Sequence, residues 1–234
     1  MTTNLFAPHE LPQLAALQGL LDDPTKPPST SRAWRAVREL AAMTGPATEA
    51  AIVLVARFAE IAEPPSDKLL PLWRDSPDRD AFARLLLAPA FARENRTELD
   101  LGRKLPLTGI RHLMTLRTLR AYRRKDITDL GELSALIDLT DLNLDGCRNV
   151  RDLTPLANLI ELTTLNLQHG AVCDLTPLAG LTRLTALDLN RCHAITDLTP
   201  LVRLTRLRSL GLAETRIRDL THLASLTTLT ELLT

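Results

Sequence analysis

The 234-residue sequence has few aromatic residues, few cysteines and no excess of charge of either sign. Only 3% of its residues are Phe, Trp or Tyr, and 28 Lys and Arg residues balance 28 Asp and Glu residues. Because nucleic-acid-binding domains usually carry a basic stripe, this balance disfavours nucleic acid as the main ligand. Hydrophobic residues make up 45% of the chain, as expected for a globular protein of one large domain or two small ones.

Targeting and membrane-spanning segments are also lacking. The start, MTTNLFAPHELPQL, has no basic region followed by a continuous apolar one, so we expect no secretory signal. The longest apolar stretch, AAIVLVARFAEIA, is interrupted by Arg57 and Glu60 and is too short to span a membrane. Cys147, Cys173 and Cys192 show no paired spacing, which predicts free thiols in a reducing compartment. We therefore expect a cytoplasmic protein.

Motifs for catalysis and cofactor binding are missing as well. The sequence contains no GxGxxG or GxxxxGK[ST] loop, and no nucleophile stands in a motif context. The five histidines lack metal-ligand spacing; His169 is expected on the rim of a strand region near Asp145 and Asp188, but exposed polar residues usually face water. These absences predict a protein that is not an enzyme and binds no cofactor or metal.

A repeated leucine phrase is what the sequence has in abundance. Units of 22 or 23 residues follow the form LxxLxLxxCxxIxDLTPLAxLTx. Clear copies begin at Leu116, Leu139, Leu162, Leu184 and Leu207, an imperfect unit begins at Arg96, and the fragment LTELLT begins at Leu229. About six units and a terminal fragment therefore occupy residues 96–234.

Each unit predicts a strand followed by a tight turn. In LTDLNLD, Leu142 and Leu144 alternate with polar residues, which is the period of a strand with one buried face. In DLTPLA, Thr154 precedes Pro155, and this order favours a hydroxyl cap on a short 3₁₀ or single-turn helix. Stacked units would bury their leucines in one continuous column.

The repeated phrase resembles leucine-rich repeats, and its short period with DLTPLAxLTxL is most similar to the bacterial internalin-type and SDS22-like subclass. One position departs from that pattern, because the asparagine that usually follows the strand is replaced, as in cysteine-type repeats, by Arg124, Cys147, Gly170, Cys192 and Thr215. The resemblance implies a solenoid with short parallel strands on its concave face and a general role in protein recognition.

Two recurring positions are best explained by structure. An aspartate column, Asp129, Asp152, Asp174, Asp197 and Asp219, would repel itself at coil spacing, so we expect each carboxylate to accept a backbone N–H at the start of its convex turn. Cys147 and Cys192 lie two coils apart, too far for a disulfide, and are expected to be buried small residues.

Residues 1–95 predict a separate helical domain that caps the first repeat. SRAWRAVRELAAM places Trp34 on one helical face behind a Ser31 cap, and SPDRDAFARLLLA predicts a further helix capped by Ser76. Proline clusters at DDPTKPPST and EPPSD mark the connections. We expect four or five helices, with Trp34 and Trp73 in their core.

The outward positions of the strands are the best candidates for a binding site, because they vary in size and charge while the leucines recur. The candidate partner-binding residues on this concave face are Arg120, Tyr122, Asp141, Asn143, Asp145, Asn166, Gln168, Asp188 and Asn190. The basic run RHLMTLRTLRAYRRK, with Arg123, Arg124 and Lys125, could also hold a phosphate or an acidic partner, although nearby acidic residues can neutralise it.

The sequence therefore predicts a leucine-rich-repeat solenoid with an α-helical N-terminal domain, which acts as a non-enzymatic scaffold and binds a partner protein through its concave face. The alternative is a regulatory or sensor module of a larger bacterial signalling or defence system that acts through the helical domain. Because the last repeat has no polar capping unit, we expect a partner or a second copy of the chain to cover that end, unless the chain is a fragment.

Overall fold

The computed structural model describes residues 12–23, 28–43 and 48–233. His9 and the middle of the first proline cluster lie outside these residues. Two compact units make up the described chain. One comprises the residues through Arg96 together with Thr108–Leu113, and the other comprises Thr97–Leu107 and the residues from Met114 onward. None of the described helices is long and apolar enough to cross a membrane.

The first unit is helical. Its helices are α1 (Pro12–Asp22), α2 (Thr30–Ala41), α3 (Thr48–Ala62), α4 (Ser66–Asp75), α5 (Arg79–Phe82) and α6 (Ala88–Arg93). A π-helical turn, Ala83–Leu87, joins α5 to α6, and in it the N–H of Ala88 donates to the carbonyl of Ala83, five residues back. Pro89 accounts for this turn, because it has no N–H for an ordinary helical bond and its ring clashes with the carbonyl four residues earlier.

The core of this unit differs from the expected one at one tryptophan. Trp73 is fully buried and donates its indole N–H to the carbonyl of Arg79 at 3.0 Å, as its amphipathic ring requires. Trp34 is only half-buried, and the ammonium group of Lys68 lies 5.9 Å from the centroid of its ring. The placement of Trp34 in the core was therefore wrong.

Two predicted helix caps in this unit are also corrected. Ser31 lies inside the first turn of α2, whose cap position is Ser29, and the structure gives Ser29 no side-chain capping bond. At the start of α5 the cap is Asp78, whose carboxylate accepts the N–H of Ala81 at 2.9 Å, and Ser76 instead ends α4. Asp78 is a stronger cap than a serine would be, because its negative charge also interacts favourably with the positive end of the helix dipole.

The second unit is a parallel sheet of seven short strands in sequence order, which confirms the repeat fold. The strands are β1 (Glu98–Asp100), β2 (Thr118–Arg120), β3 (Asp141–Asn143), β4 (Thr164–Asn166), β5 (Ala186–Asp188), β6 (Ser209–Gly211) and β7 (Glu231–Leu233). Their central leucines pair in register from Leu99 to Leu232. From β1 to β6 these leucines are buried, while Leu232 and Leu233 of β7 are 39% and 48% exposed. That β7 is covered by a partner or a second copy stays a prediction.

Short 3₁₀ segments follow the strands on the other side of the coils. They span Gly131–Ala135, Thr154–Leu156, Thr176–Leu178, Thr199–Arg203 and Thr221–Ser225. Each is preceded by an aspartate whose Oδ1 accepts the N–H two residues later at 2.8–2.9 Å. The structural interpretation of the aspartate column is thus confirmed. The predicted threonine cap was wrong, because Thr154 is the first residue of its segment and the cap position is Leu153, which makes no side-chain capping bond.

The position that lacks asparagine still joins neighbouring coils. The thiol of Cys147 donates to the carbonyl of Ala121 at 2.8 Å, and that of Cys192 donates to the carbonyl of Leu167 at 3.1 Å. Both side chains are buried, as predicted, and all three cysteines are free. In this fold the thiols occupy the position where an asparagine amide would bond the neighbouring coil. They bond a carbonyl of that coil instead, although a thiol is a weaker donor than an amide.

Thiol reactivity tests this arrangement. Burial raises the pKa of Cys192 to about 11 and also raises that of Cys147, whereas Cys173 is exposed. Because the thiolate is the reactive form, we expect a disulfide reagent at pH 8 to modify Cys173 rapidly and the other two cysteines only after denaturation. Rapid modification of Cys147 or Cys192 in the native protein would show that the coils do not close over them.

Candidate partner-binding surface

The concave face consists of the outward residues of the strands and of the residue two positions after each strand. Strand register places Thr118, Asp141, Thr164, Ala186 and Ser209 in one column. The neighbouring column contains Asp100, Arg120, Asn143, Asn166, Asp188 and Gly211. Five of the nine predicted residues lie in these two columns, namely Arg120, Asp141, Asn143, Asn166 and Asp188. The other four, Tyr122, Asp145, Gln168 and Asn190, lie two positions after their strands.

The asparagine and aspartate side chains at the strand ends also bond the backbone, a role that was not predicted from the sequence. The Oδ1 atoms of Asn143, Asn166 and Asp188 each accept the N–H two residues later at 2.9 Å. Asp100 makes the same bond to Gly102 at 2.8 Å. Such bonds fix the turn at the end of each strand, so these side chains have a structural role. The recurrence of Asp or Asn in one column was the sequence signal for it.

Three further candidates are also engaged within the solenoid. Asp141 accepts a bond from the hydroxyl of Thr140 at 2.7 Å, and Asn190 accepts the N–H of Ala213 from the next coil at 2.7 Å. Arg120 donates to Glu98 at 3.1 Å, but this pair is exposed and therefore contributes little to stability. Arg120 can thus exchange Glu98 for a ligand at low cost.

Gly211 shows how closely the side chains of the fifth coil approach the sixth. A Cβ added there would lie 2.7 Å from both Asp188 Oδ1 and Asn190 Nδ2. Asp188 Oδ1 itself accepts the N–H of Asn190, and Asn190 accepts the N–H of Ala213 through its Oδ1, so both side chains are held next to the glycine. Near Gly211, therefore, the polar atoms at the surface already form hydrogen bonds within the repeats.

Two candidates keep their polar atoms available. Within the part of the chain that the structure describes, no hydrogen bond or ion pair engages the side chain of Tyr122 or of Gln168. Tyr122 is 40% exposed, and Gln168 is half-buried. With Arg120, whose pair with Glu98 is exposed, they are the predicted residues that the fold uses least. We call Arg120, Tyr122 and Gln168 the contact triplet.

A shallow recess opens beside the contact triplet. Its volume is about 340 Å³, and it is lined by Thr118, Leu119, Arg120, Asp141, Leu142, Asn143, Thr164 and Asn166. These residues come from β2, β3 and β4, so three consecutive coils form the floor. The recess is open and bounded mainly by polar groups, which suits a segment of another protein better than a buried small molecule.

A chain of polar side chains runs along the rim beyond the strand ends. His169 Nδ1 lies 2.9 Å from Asp145 Oδ1, and its Nε2 lies 3.1 Å from Arg191, which also pairs with Glu214 at 2.7 Å. An arginine can only donate, so Nε2 is the acceptor in this contact. Asp145, the last predicted candidate, is therefore engaged by His169. Sequence spacing did place this histidine near Asp145.

The basic run divides into a buried and an exposed part. Arg124 is only 4% exposed; it forms two bonds with Asp126, at 2.8 and 2.7 Å, and donates to the carbonyls of Gly102 and Leu105 at 3.2 and 2.7 Å. Asp126 raises the pKa of Arg124, and Arg124 lowers that of Asp126. Arg124 thus ties the first coil to the second, and its assignment to a binding patch was wrong. Arg123 and Lys125 remain exposed.

The described residues contain no group of three or more His, Cys, Asp or Glu side chains arranged to hold a metal ion. His169 and Asp145 meet as a pair, and Asp188 bonds Asn190 instead.

Comparison with known proteins gives two structural likenesses. Internalin C2 from Listeria monocytogenes is 27% identical, with a TM-score of 0.47, over 58% of this chain and 66% of that one. An internalin F from the same organism is 23% identical, with a TM-score of 0.34, over 71% of this chain and 67% of that one. The chain thus spans about two thirds of the length of each. No protein-family model and no curated protein matches the sequence.

Proposed function

We propose that the protein is a non-enzymatic scaffold that binds a partner protein through the concave face of its repeats. The observation that carries this proposal is the contact triplet beside an open recess. Arg120 and Tyr122 belong to the coil of β2 and Gln168 to the coil of β4, with the coil of β3 between them. The side chains of Tyr122 and Gln168 are not used by the fold within the described residues. Tyrosine and arginine are enriched among the residues that dominate protein interfaces.

The neighbouring residues support the proposal in a different way. Asn143, Asn166 and Asp188 hold the strand ends through their Oδ1 atoms, so they keep the face rigid. A preformed surface loses less conformational entropy on binding than a mobile one. We infer that the partner contacts the other atoms of these side chains without displacing their backbone bonds.

We further propose that the repeats belong to the internalin-type subclass with cysteine-type loop positions, and that the protein acts in the cytoplasm of a bacterium. Its free cysteines are consistent with a reducing compartment.

Replacement of the contact triplet tests the proposal. We expect the triple variant Arg120→Ala, Tyr122→Ala, Gln168→Ala to lose capture of the partner from the native host, because hot-spot side chains each contribute roughly tenfold or more to affinity. Asn166 is left unchanged, since its removal would disturb the turn after β4. Affinity purification with quantitative mass spectrometry measures the loss.

A matched control carries Arg203→Ala, Ile137→Ala and Asn158→Ala. These residues are similar in size or charge and are exposed on the side of the 3₁₀ segments. Capture should survive in this control. Equal capture by both variants, together with loss on Trp34→Ala, would contradict concave-face binding and favour a module that acts through its helical unit, where Trp34 is half-exposed.

A further inference from the structure

We propose that a cleft on the rim of the repeats binds the phosphate group of a phosphorylated protein partner. This inference rests on the proposed function and adds a chemical class to it. The cleft has a volume of about 300 Å³ and is lined by Arg123, Lys125, Asp145, Gly146, Arg148 and His169. We call it the rim cleft.

Three cations of the rim cleft form no ion pair within the described part of the chain. Arg123, Lys125 and Arg148 are exposed, and among the described residues none of them forms an ion pair. Elsewhere in the repeats several arginines do pair with acids of a neighbouring coil, as Arg183 does with Glu161 and Arg191 with Glu214. Three unpaired cations that converge on one opening form a site that attracts anions.

The charge of the rim cleft matches a doubly charged ligand. Its three cations are opposed by the single carboxylate of Asp145, which lies 2.9 Å from His169 Nδ1. The arginine and lysine side chains thus exceed the carboxylate by two positive charges. A phosphate monoester, with a charge near −2 at neutral pH, balances them, whereas one carboxylate leaves half of the charge uncompensated.

Local structure supports two of the three cations, Arg123 and Lys125. A Cβ at Gly146 would lie only 3.1 Å from Arg123 Cγ, so the absence of a side chain at Gly146 leaves room for the aliphatic part of Arg123. Gly146 also has φ +72°, a backbone conformation that glycine adopts without strain. The amide of Asn149 donates to the carbonyl of Lys125 and fixes the backbone there. The N–H groups of Arg123 and Gly146 already bond the next coil, so side chains must hold the anion.

The position of the rim cleft favours a protein ligand over a polynucleotide. Asp145 and His169 follow β3 and β4, whose outward residues line the recess on the concave face. A protein segment lying in that recess could place one phosphorylated side chain in the cleft. A polynucleotide needs a continuous track of cations. The rim cleft instead gathers three cations around one opening.

Amide NMR titrations at constant ionic strength test the proposal without any partner protein. The probe is a capped tripeptide with phosphoserine between two alanines, and its comparison ligands carry serine or glutamate at that position. We expect saturable shifts at Arg123, Gly146 and Arg148 with the phosphoserine peptide, and roughly tenfold weaker binding of the glutamate peptide. The serine peptide should produce no saturable shift.

Two single variants locate the site. Arg123→Gln and Arg148→Gln should each weaken binding of the phosphoserine peptide by roughly tenfold, because each removes one charge-assisted bond. Arg203→Gln, an exposed control outside the cleft, should leave binding unchanged. All three residues are exposed, so the spectra should otherwise remain those of the folded protein.

Three results would overturn the proposal: equal binding of the glutamate and phosphoserine peptides, affinities unchanged in both cleft variants, or tighter binding of a nine-nucleotide thymidine oligomer that the same variants abolish. The last would identify a site for nucleic acid. None of these results bears on capture through the contact triplet, so failure here is distinguishable from failure of the proposed function.

Discussion

Leu165→Ala should lower the free energy of unfolding by about 3 kcal/mol, within the range for large-to-small changes in well-packed cores. Leu165 is the central residue of β4, the middle strand of seven, and only 1% of its surface is exposed. Its neighbours in the column are Leu142 and Leu187, one on each adjoining coil. Since both coils are fixed by backbone hydrogen bonds, they cannot collapse into the space that the leucine leaves.

Ile160→Ala provides the matched control, five residues earlier at the end of the preceding repeat. This isoleucine is 56% exposed, so we expect its truncation to cost less than about 0.5 kcal/mol. Urea unfolding followed by circular dichroism measures both variants. Similar losses at positions 160 and 165 would mean that the leucine column does not stabilise the solenoid.

Arg124→Met should cost about 2–3 kcal/mol, because the loss of a charged donor leaves buried acceptors without partners. The guanidinium group supplies bonds to the carbonyls of Gly102 and Leu105, and methionine fills similar space but offers none. Asp126 adds less to the loss, since its carboxylate is 66% exposed and water can replace the arginine. Lysine should not rescue the variant, because it cannot reproduce the planar, multiply bonded geometry.

Arg123→Met is the control for this change. Arg123 is the preceding residue, has a left-handed backbone conformation (φ +56°) and is exposed, with no ion pair within the described chain. Its replacement should leave the unfolding midpoint nearly unchanged. A midpoint that falls equally in both variants would show that Arg124 does not join the first two coils.

The repeats could be predicted because their physics is local and recurrent. Leucines that alternate with polar residues specify a strand with one buried face, and recurrence in one register specifies stacking. The aspartate before each 3₁₀ segment was predictable too, since a column of like charges needs a compensating bond. Asp152 and Asp174 accept that bond as expected.

The roles of residues whose burial or bonding depends on the path of the backbone were not predictable in the same way. Arg124 and Arg123 are adjacent in sequence and identical in chemistry, yet one is buried and the other exposed. The left-handed conformation of Arg123 turns the chain between them. Asn143 and Asn166 looked like ligand-facing residues because a polar residue on a strand can either bond the backbone or point to solvent. Only the geometry at the strand end decides between the two.

Site-specific photo-crosslinking in the native host tests the central claim most directly. A photoreactive phenylalanine derivative replaces Gln168 on the concave face or, separately, Asn158 on the side of the 3₁₀ segments. Crosslinked products are resolved by electrophoresis and identified by mass spectrometry. Concave-face binding predicts a specific protein adduct from position 168 and none from position 158. An adduct from position 158 with none from position 168 would contradict it.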